Sequence, residues 1–369
     1  MTSTGATGGC FLTTNLQNAV SRVIIKKRGE IMQHKLSEGP LLNEQGALTE
    51  AGYATSLVRY YHRGAIKAPK LRIKEWDYYY IGNDQVGIAL TIADNSYMGL
   101  ISVTFLDFIK AEETTKSVML FMPCGRLKLP ETSVVGDVSF SNKQVKIAFS
   151  NDGNFRHITC FVPNFKDKAA LGCELSLQND PIDTMVIATP FDKPAHFYYN
   201  QKINCLHAMG NVTIGETTHC FDEALGVLDW GRGVWTYKNT WYWSSLSTRV
   251  GEYFVGFNLG YGFGITDAAT ENMLFLNGVA TKIDHVTFKI PLKDGKEDYL
   301  APWTFTSSDG SLNLRFEPII DRHSNTSLGI IASNQHQVFG RFYGTLVFSD
   351  QTIELNGALG FAEKVMNKW

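Results

Sequence analysis

Apolar and polar residues alternate with a period of two along much of this chain, a pattern that restricts those stretches to half-buried antiparallel strands. Gln144-Val-Lys-Ile-Ala-Phe149, His285-Val-Thr-Phe-Lys-Ile-Pro-Leu292 and Leu312-Asn-Leu-Arg-Phe-Glu-Pro318 show it most plainly. Asn-Asp-Gly at 151–153, Lys-Asp-Gly at 293–295 and Ser-Asp-Gly at 308–310 supply tight turns, since glycine takes positive φ at no steric cost. Such runs recur from about Leu71 to the carboxy terminus with hardly a long helical pattern between them. Helix-wrapped parallel sheets are therefore disfavoured, and an all-β barrel or sandwich is predicted. One short helix is expected near the amino terminus, Thr49 to Tyr61, capped by Thr49 and offering Leu57, Val58 and Tyr61 as its apolar side.

A chain of 369 residues suits two β units. The loop-rich stretch from Asp180 to Pro194 carries Pro181, Pro190 and Pro194, which places a boundary there: an extension over 1–38, a first unit over 39–185 and a second over 186–369. Gly256 to Gly264 has glycine at near-alternate positions, as a bent strand or the close approach of a ligand requires. In Phe339 to Phe348 the alternation puts Gly340, Phe342, Gly344, Leu346 and Phe348 on one face.

The net charge of -2, with both signs interspersed, offers no basic face for a phosphate backbone, so nucleic acid is not an expected partner. Six cysteines without a Cys-x-x-Cys pair point to buried free thiols rather than zinc or redox chemistry. No apolar run is long enough for integral membrane insertion and no secretory signal is visible, so a soluble, intracellular, cytoplasmic protein is expected. Met1 to Arg28 lacks acids, is rich in Ser and Thr and ends in Arg22, Lys26, Lys27 and Arg28; it reads as an organelle transit peptide or as an ordinary extension.

The chemistry concentrates between Gly226 and Ser245, which holds four of the seven tryptophans. Asp229 precedes Trp230, and Arg232 follows. Aromatic faces hold apolar surface, and a carboxyl among them resists ionisation and can serve as a proton donor. Candidate ligand-binding residues are Trp230, Trp235, Tyr237, Trp241 and Trp243, with Tyr253 and Phe254 beyond them and Glu75 and Trp76 from the Lys74 to Tyr80 run. His219 and Glu223 lie just upstream and add proton-transfer groups to Asp229 and Arg232. Arg232 either anchors a ligand at the cavity mouth or pairs with Asp229, which would favour the ionised carboxylate. The same residues also fit the core of one strand with a structural ion pair. Neither a nucleophile elbow, a phosphate loop nor a metal-binding helix is present, and Gly256 to Gly264 has no following helix, so no metal and no cofactor is expected.

At Leu225 to Ser244, Gly39 to Gly52, Ile73 to Tyr78 and Phe361 to Trp369 the chain resembles the domain of unknown function 2804 family, over nearly everything after residue 38. That family name carries no activity. More remotely, the chain is similar to lipocalin-like proteins that include carotenoid hydratases and tocopherol cyclase-like enzymes. This resemblance implies two lipocalin-like antiparallel β units and, for the hydratase-like group, a carboxylic acid that protonates an alkene inside an apolar barrel; Asp229 is the corresponding residue. Two functions follow as expectations. One is a carrier that holds a lipid or an isoprenoid or other polyene in a β cavity. The other is a cofactor-independent isomerase, hydratase or cyclase with Asp229 as proton donor.

Overall fold

The structure, a computed structural model, describes residues 33–328 and 331–368. The stretch read as a leader, and Cys10 within it, lie outside the described residues. Two antiparallel sheets carry most of the described chain, each curled as a lipocalin-like half-barrel, as the alternating pattern predicts. The middle of the first sheet runs Val86–Asp94, Ile73–Gly82, Leu225–Val234, Phe197–Ile214, Ala169–Gln178 and Phe155–Lys166. The middle of the second runs Tyr253–Tyr261, Lys238–Val250, Thr352–Lys368, Ile331–Val347 and Leu312–Leu328. The chain passes from one sheet to the other between Val234 and Lys238. Among the described residues no helix is long and apolar enough to cross a membrane.

Burial follows the pattern of two where a sheet has one wet face. In Phe155–Lys166, Arg156, Ile158, Cys160 and Val162 point inward and the residues between them are exposed. The Leu225–Val234 strand is instead buried at every position. Both of its faces are covered: Leu228 and Trp230 join Tyr79 and Ile81 in the first sheet's own core, while Val227 joins Tyr78 and Tyr80 against Trp243, Phe339 and Phe361 of the second sheet. Tyr80 meets Phe361 edge-on with ring centres 5.6 Å apart. Complete burial of such side chains stabilises by roughly 1.5–3 kcal/mol each, so this seam is a principal adhesive between the sheets. The second sheet closes over its own aromatic core of Phe257, Trp303, Phe305, Phe316 and Phe342.

The expected helix from Thr49 to Tyr61 does not form. Gly52–Ala54 is a strand that pairs with Met185–Pro190, and Arg59–Tyr60 pairs with Gly39–Pro40. The Thr49 hydroxyl donates to the Pro40 carbonyl oxygen (2.7 Å) instead of capping anything. Tertiary pairing has overridden a weak local preference, and Gly52 is what permits it: a Cβ there would stand 2.4 Å from the His34 carbonyl oxygen. The described helical turns are two short 3-10 segments, Arg63–Ala65 and Lys70–Arg72. The three predicted glycine turns are present, with φ of 99° at Gly153, 76° at Gly295 and 76° at Gly310. Cys160, Cys173 and Cys205 are buried free thiols; Cys124 and Cys220 are free but exposed, contrary to expectation, because they sit in a loop and at the end of a short outer strand.

Candidate functional site

Strand register places two rows of side chains opposite each other. Lys202, Asp229, Tyr78 and Thr91 stand side by side across four adjacent strands of the first sheet. Arg322, Gln337, Glu363 and Trp243 do the same in the second. Between them lies a cavity of about 190 Å³, walled by Trp76, Tyr198, Trp235, Trp241 and Phe263. Contacts across the gap fix the rows: Gln337 Nε2 donates to Tyr78 Oη (3.2 Å), and Lys202 Nζ sits 3.9 Å from the centre of the Trp243 ring.

The cavity holds three carboxyl groups in different settings. Asp229 Oδ1 accepts from Asn200 Nδ2 (2.6 Å) and forms an ion pair with Lys202 Nζ (2.7 Å), with both partners almost wholly buried. Glu363, 4% exposed, accepts from Trp241 Nε1 (2.8 Å) and Gln335 Nε2 (3.4 Å). Burial pushes its carboxyl up to about 7; the Trp241 hydrogen bond and the Lys202 charge oppose this, and the Asp229 charge adds to it. Glu271 is likewise raised by burial, against the pull of Lys202. Its carboxyl lies against the Tyr253–Tyr261 strand at Gly260, where a Cβ would come within 2.4 Å of Oε1. This close approach is one use of the near-alternate glycines.

Gly231 does the corresponding work for Trp76. The two are cross-strand partners, and a Cβ on Gly231 would fall 1.9 Å from the indole. With that space open, Trp76 stacks on Tyr198 (ring centres 6.2 Å apart, 11° between planes) and meets Trp235 edge-on at 5.3 Å. Gly231→Ala is expected to drive Trp76 off this seat and to cost about 1–3 kcal/mol, the range for overpacking a filled interior. Urea unfolding with near-ultraviolet circular dichroism reads both effects; an unchanged midpoint and aromatic signal would show that the indole is not held there.

Of the residues expected from the sequence, Asp229, Trp76, Trp235, Trp241 and Trp243 meet at this cavity. The others stand elsewhere. Arg232 lies three positions from Asp229 and so on the opposite face of the strand. It pairs with Asp77 (3.0 Å) and donates to the carbonyl oxygens of Trp76, Gly231 and Pro130. Trp230 is buried on that same face under the Arg232 guanidinium. Glu75 also points there, taking a hydrogen bond from Tyr61 Oη and pairing with Arg63. Tyr237 and Tyr253 are exposed. His219 packs its ring on Phe105, while Glu223 and Phe254 line a separate groove.

Lys202, Tyr198, Arg322 and Gln337 were not visible as site residues because strands distant in sequence deliver them, and Glu271 because it comes from the loop before the Met273–Leu276 strand. Glu363 and Tyr78 had a signal. They fall in the motifs Phe361 to Trp369 and Ile73 to Tyr78, and these two stretches flank the tryptophan-rich segment in space as hydrogen-bonded neighbours of its strands.

Among solved structures, a Nitrosomonas europaea protein provisionally named AttH superposes with a TM-score of 0.51 at 11% identity, covering 79% of this chain and 92% of its own. Kievitone hydratase from Nectria haematococca gives 0.46 at 12% identity, covering 89% and 98%. What the first likeness shows at 11% identity is a shared fold. None of the curated proteins matches this chain in sequence. The model of one family matches residues 32–369, and the chain accordingly belongs to the domain of unknown function family DUF2804.

Proposed function

We propose that this protein binds a compact, largely apolar molecule in the cavity between its sheets and that Glu363 transfers a proton to it there. The observation that supports this reading is one cavity uniting an aromatic wall with two carboxyls of opposite disposition. Glu363 is pushed up to about 7 by burial, the value a general acid needs near neutral pH, while Asp229 is occupied as an acceptor by Lys202 and Asn200. The proton-donor role expected of Asp229 thus passes to Glu363, and Asp229 with Lys202 supplies a fixed dipole beside the reacting group. Aromatic faces such as Trp243 and Trp76 stabilise positive charge developing on an alkene or ring. The reaction class is a hydration, isomerisation or cyclisation. The volume of about 190 Å³ lies below the usual range for drug-sized ligands, roughly 300–1,000 Å³, and favours a compact molecule over an extended polyene.

A carrier without turnover is the second reading, supported by the same aromatic wall. Mass spectrometry of organic extracts from the purified protein and from Glu363→Gln, after both are fed lipid and isoprenoid mixtures, separates the two. A product made by the wild type and absent from the variant, with the precursor retained, is the expected result. The same molecule recovered unchanged from both would mean a carrier, and no retained molecule in either would remove the cavity reading.

A further inference from the structure

Among the described residues, the cavity's second cation belongs to no ion pair. Lys202 is matched to Asp229, but among the described residues Arg322 has a single hydrogen bond, from Nη1 to Gln337 Oε1 (2.7 Å), and no carboxylate partner. Arg322 is half-buried and lines the cavity, as do Gln335 and Asn367. The neighbouring acid, Asp321, points to the other face of the strand, where it pairs with His336. A guanidinium presents a planar fork that takes a carboxylate in two parallel hydrogen bonds.

Resting on the binding reading above, we propose that Arg322 anchors the carboxylate of the ligand, so that the substrate class is a small aromatic or alkenyl monocarboxylic acid. Its apolar body lies among Trp76, Trp241 and Trp243, and its head meets Arg322 at the end of the row that also holds Gln337 and Glu363. The charge balance agrees. Burial raises both Glu363 and Glu271, and when both carry protons Arg322 is the unbalanced charge of the site, which one ligand carboxylate neutralises. Such an anchor also fixes orientation, because the apolar body then extends from Arg322 along the row towards Glu363.

The test uses two probes of nearly one shape, 2-naphthoate and 2-naphthamide, titrated calorimetrically into the full-length wild type, Arg322→Gln and Arg322→Lys. Naphthoate is expected to bind the wild type at least about tenfold more tightly than the amide, a typical scale for one charge-assisted pair. Arg322→Gln should abolish that preference and leave the amide's affinity unchanged, while Arg322→Lys should keep part of it. Equal affinities in the wild type, or a preference that survives Arg322→Gln, would overturn the anchor and leave the cavity reading standing. Failure of both probes to bind the wild type would overturn the two together. A thermal midpoint for each variant confirms that folded protein is compared.

Discussion

Lys202→Met is expected to destabilise the protein by about 3–5 kcal/mol, the range for removing one partner of a buried ion pair. Lys202 and Asp229 are both almost wholly buried, and after the substitution the carboxylate keeps the Asn200 amide but loses its counter-charge. Methionine fills most of the volume of the lysine stem, so the deficit reports charge rather than a void. The contact between Nζ and the Trp243 ring is lost as well and contributes on the order of 1–2 kcal/mol at a dry site. Urea unfolding of wild type, Lys202→Met, Asp229→Asn and the double variant forms a cycle that isolates the pair. Lys202→Met/Asp229→Asn should recover much of the loss, because no charge is then left uncompensated. A single-variant deficit below about 1 kcal/mol, or no recovery in the double variant, would mean that Asp229 is solvated through the cavity mouth and that the pair contributes little.

The same pair shows where sequence reading stops. Period-two alternation and glycine turns are local signals, and the all-β architecture was legible from them because a strand's face is decided two residues at a time. The tryptophan-rich segment was legible as a site because it concentrates aromatic surface with a carboxyl. Which charge meets Asp229 was not. Arg232 is near in sequence but on the far face, whereas Lys202 is 27 positions upstream and directly opposite in the antiparallel register. Applying the two-residue period to positions 229 and 232 already excludes their pairing on one face. No local rule delivers Lys202, since register between distant strands is set by the whole sheet. The helix expected over Thr49 to Tyr61 failed for the same reason: its residues are claimed by strands that approach from Gly39–Pro40 and Met185–Pro190. Glu363 occupies an intermediate position. Its motif was visible, but its meaning as an acid depends on Trp241 and Gln335 closing around it from neighbouring strands.

Glu363→Gln is expected to lower turnover by about 10²–10⁴-fold, the contribution typical of a positioned general acid, while making the protein more stable above neutral pH. The two effects have one cause. Glu363 is pushed from its ordinary value of 4.5 up to about 7, chiefly by burial, with Asp229 adding to the rise and Trp241, Lys202 and Arg322 opposing it. A carboxyl raised in this way favours the folded state fully below about pH 4.5, where folded and unfolded chains are both protonated, and loses that advantage as the pH rises through about 7. At roughly 1.4 kcal/mol per pH unit, the interval from 4.5 to about 7 corresponds to a loss on the order of 3 kcal/mol. Glutamine keeps an acceptor for Trp241 Nε1 and has no proton to lose, so the variant should not share the decline. Unfolding free energies of the two proteins should therefore converge near pH 4 and diverge to about 3 kcal/mol by pH 8, with the variant the more stable. Parallel curves across that range would mean that Glu363 is ionised in the fold and has no proton to give. A rise in stability at pH 8 without loss of turnover would instead assign the proton to Glu271, the other carboxyl that burial raises in the same cavity. The predicted combination, a variant more stable and less active than its parent, is the thermodynamic mark of a group retained for chemistry against the interest of the fold.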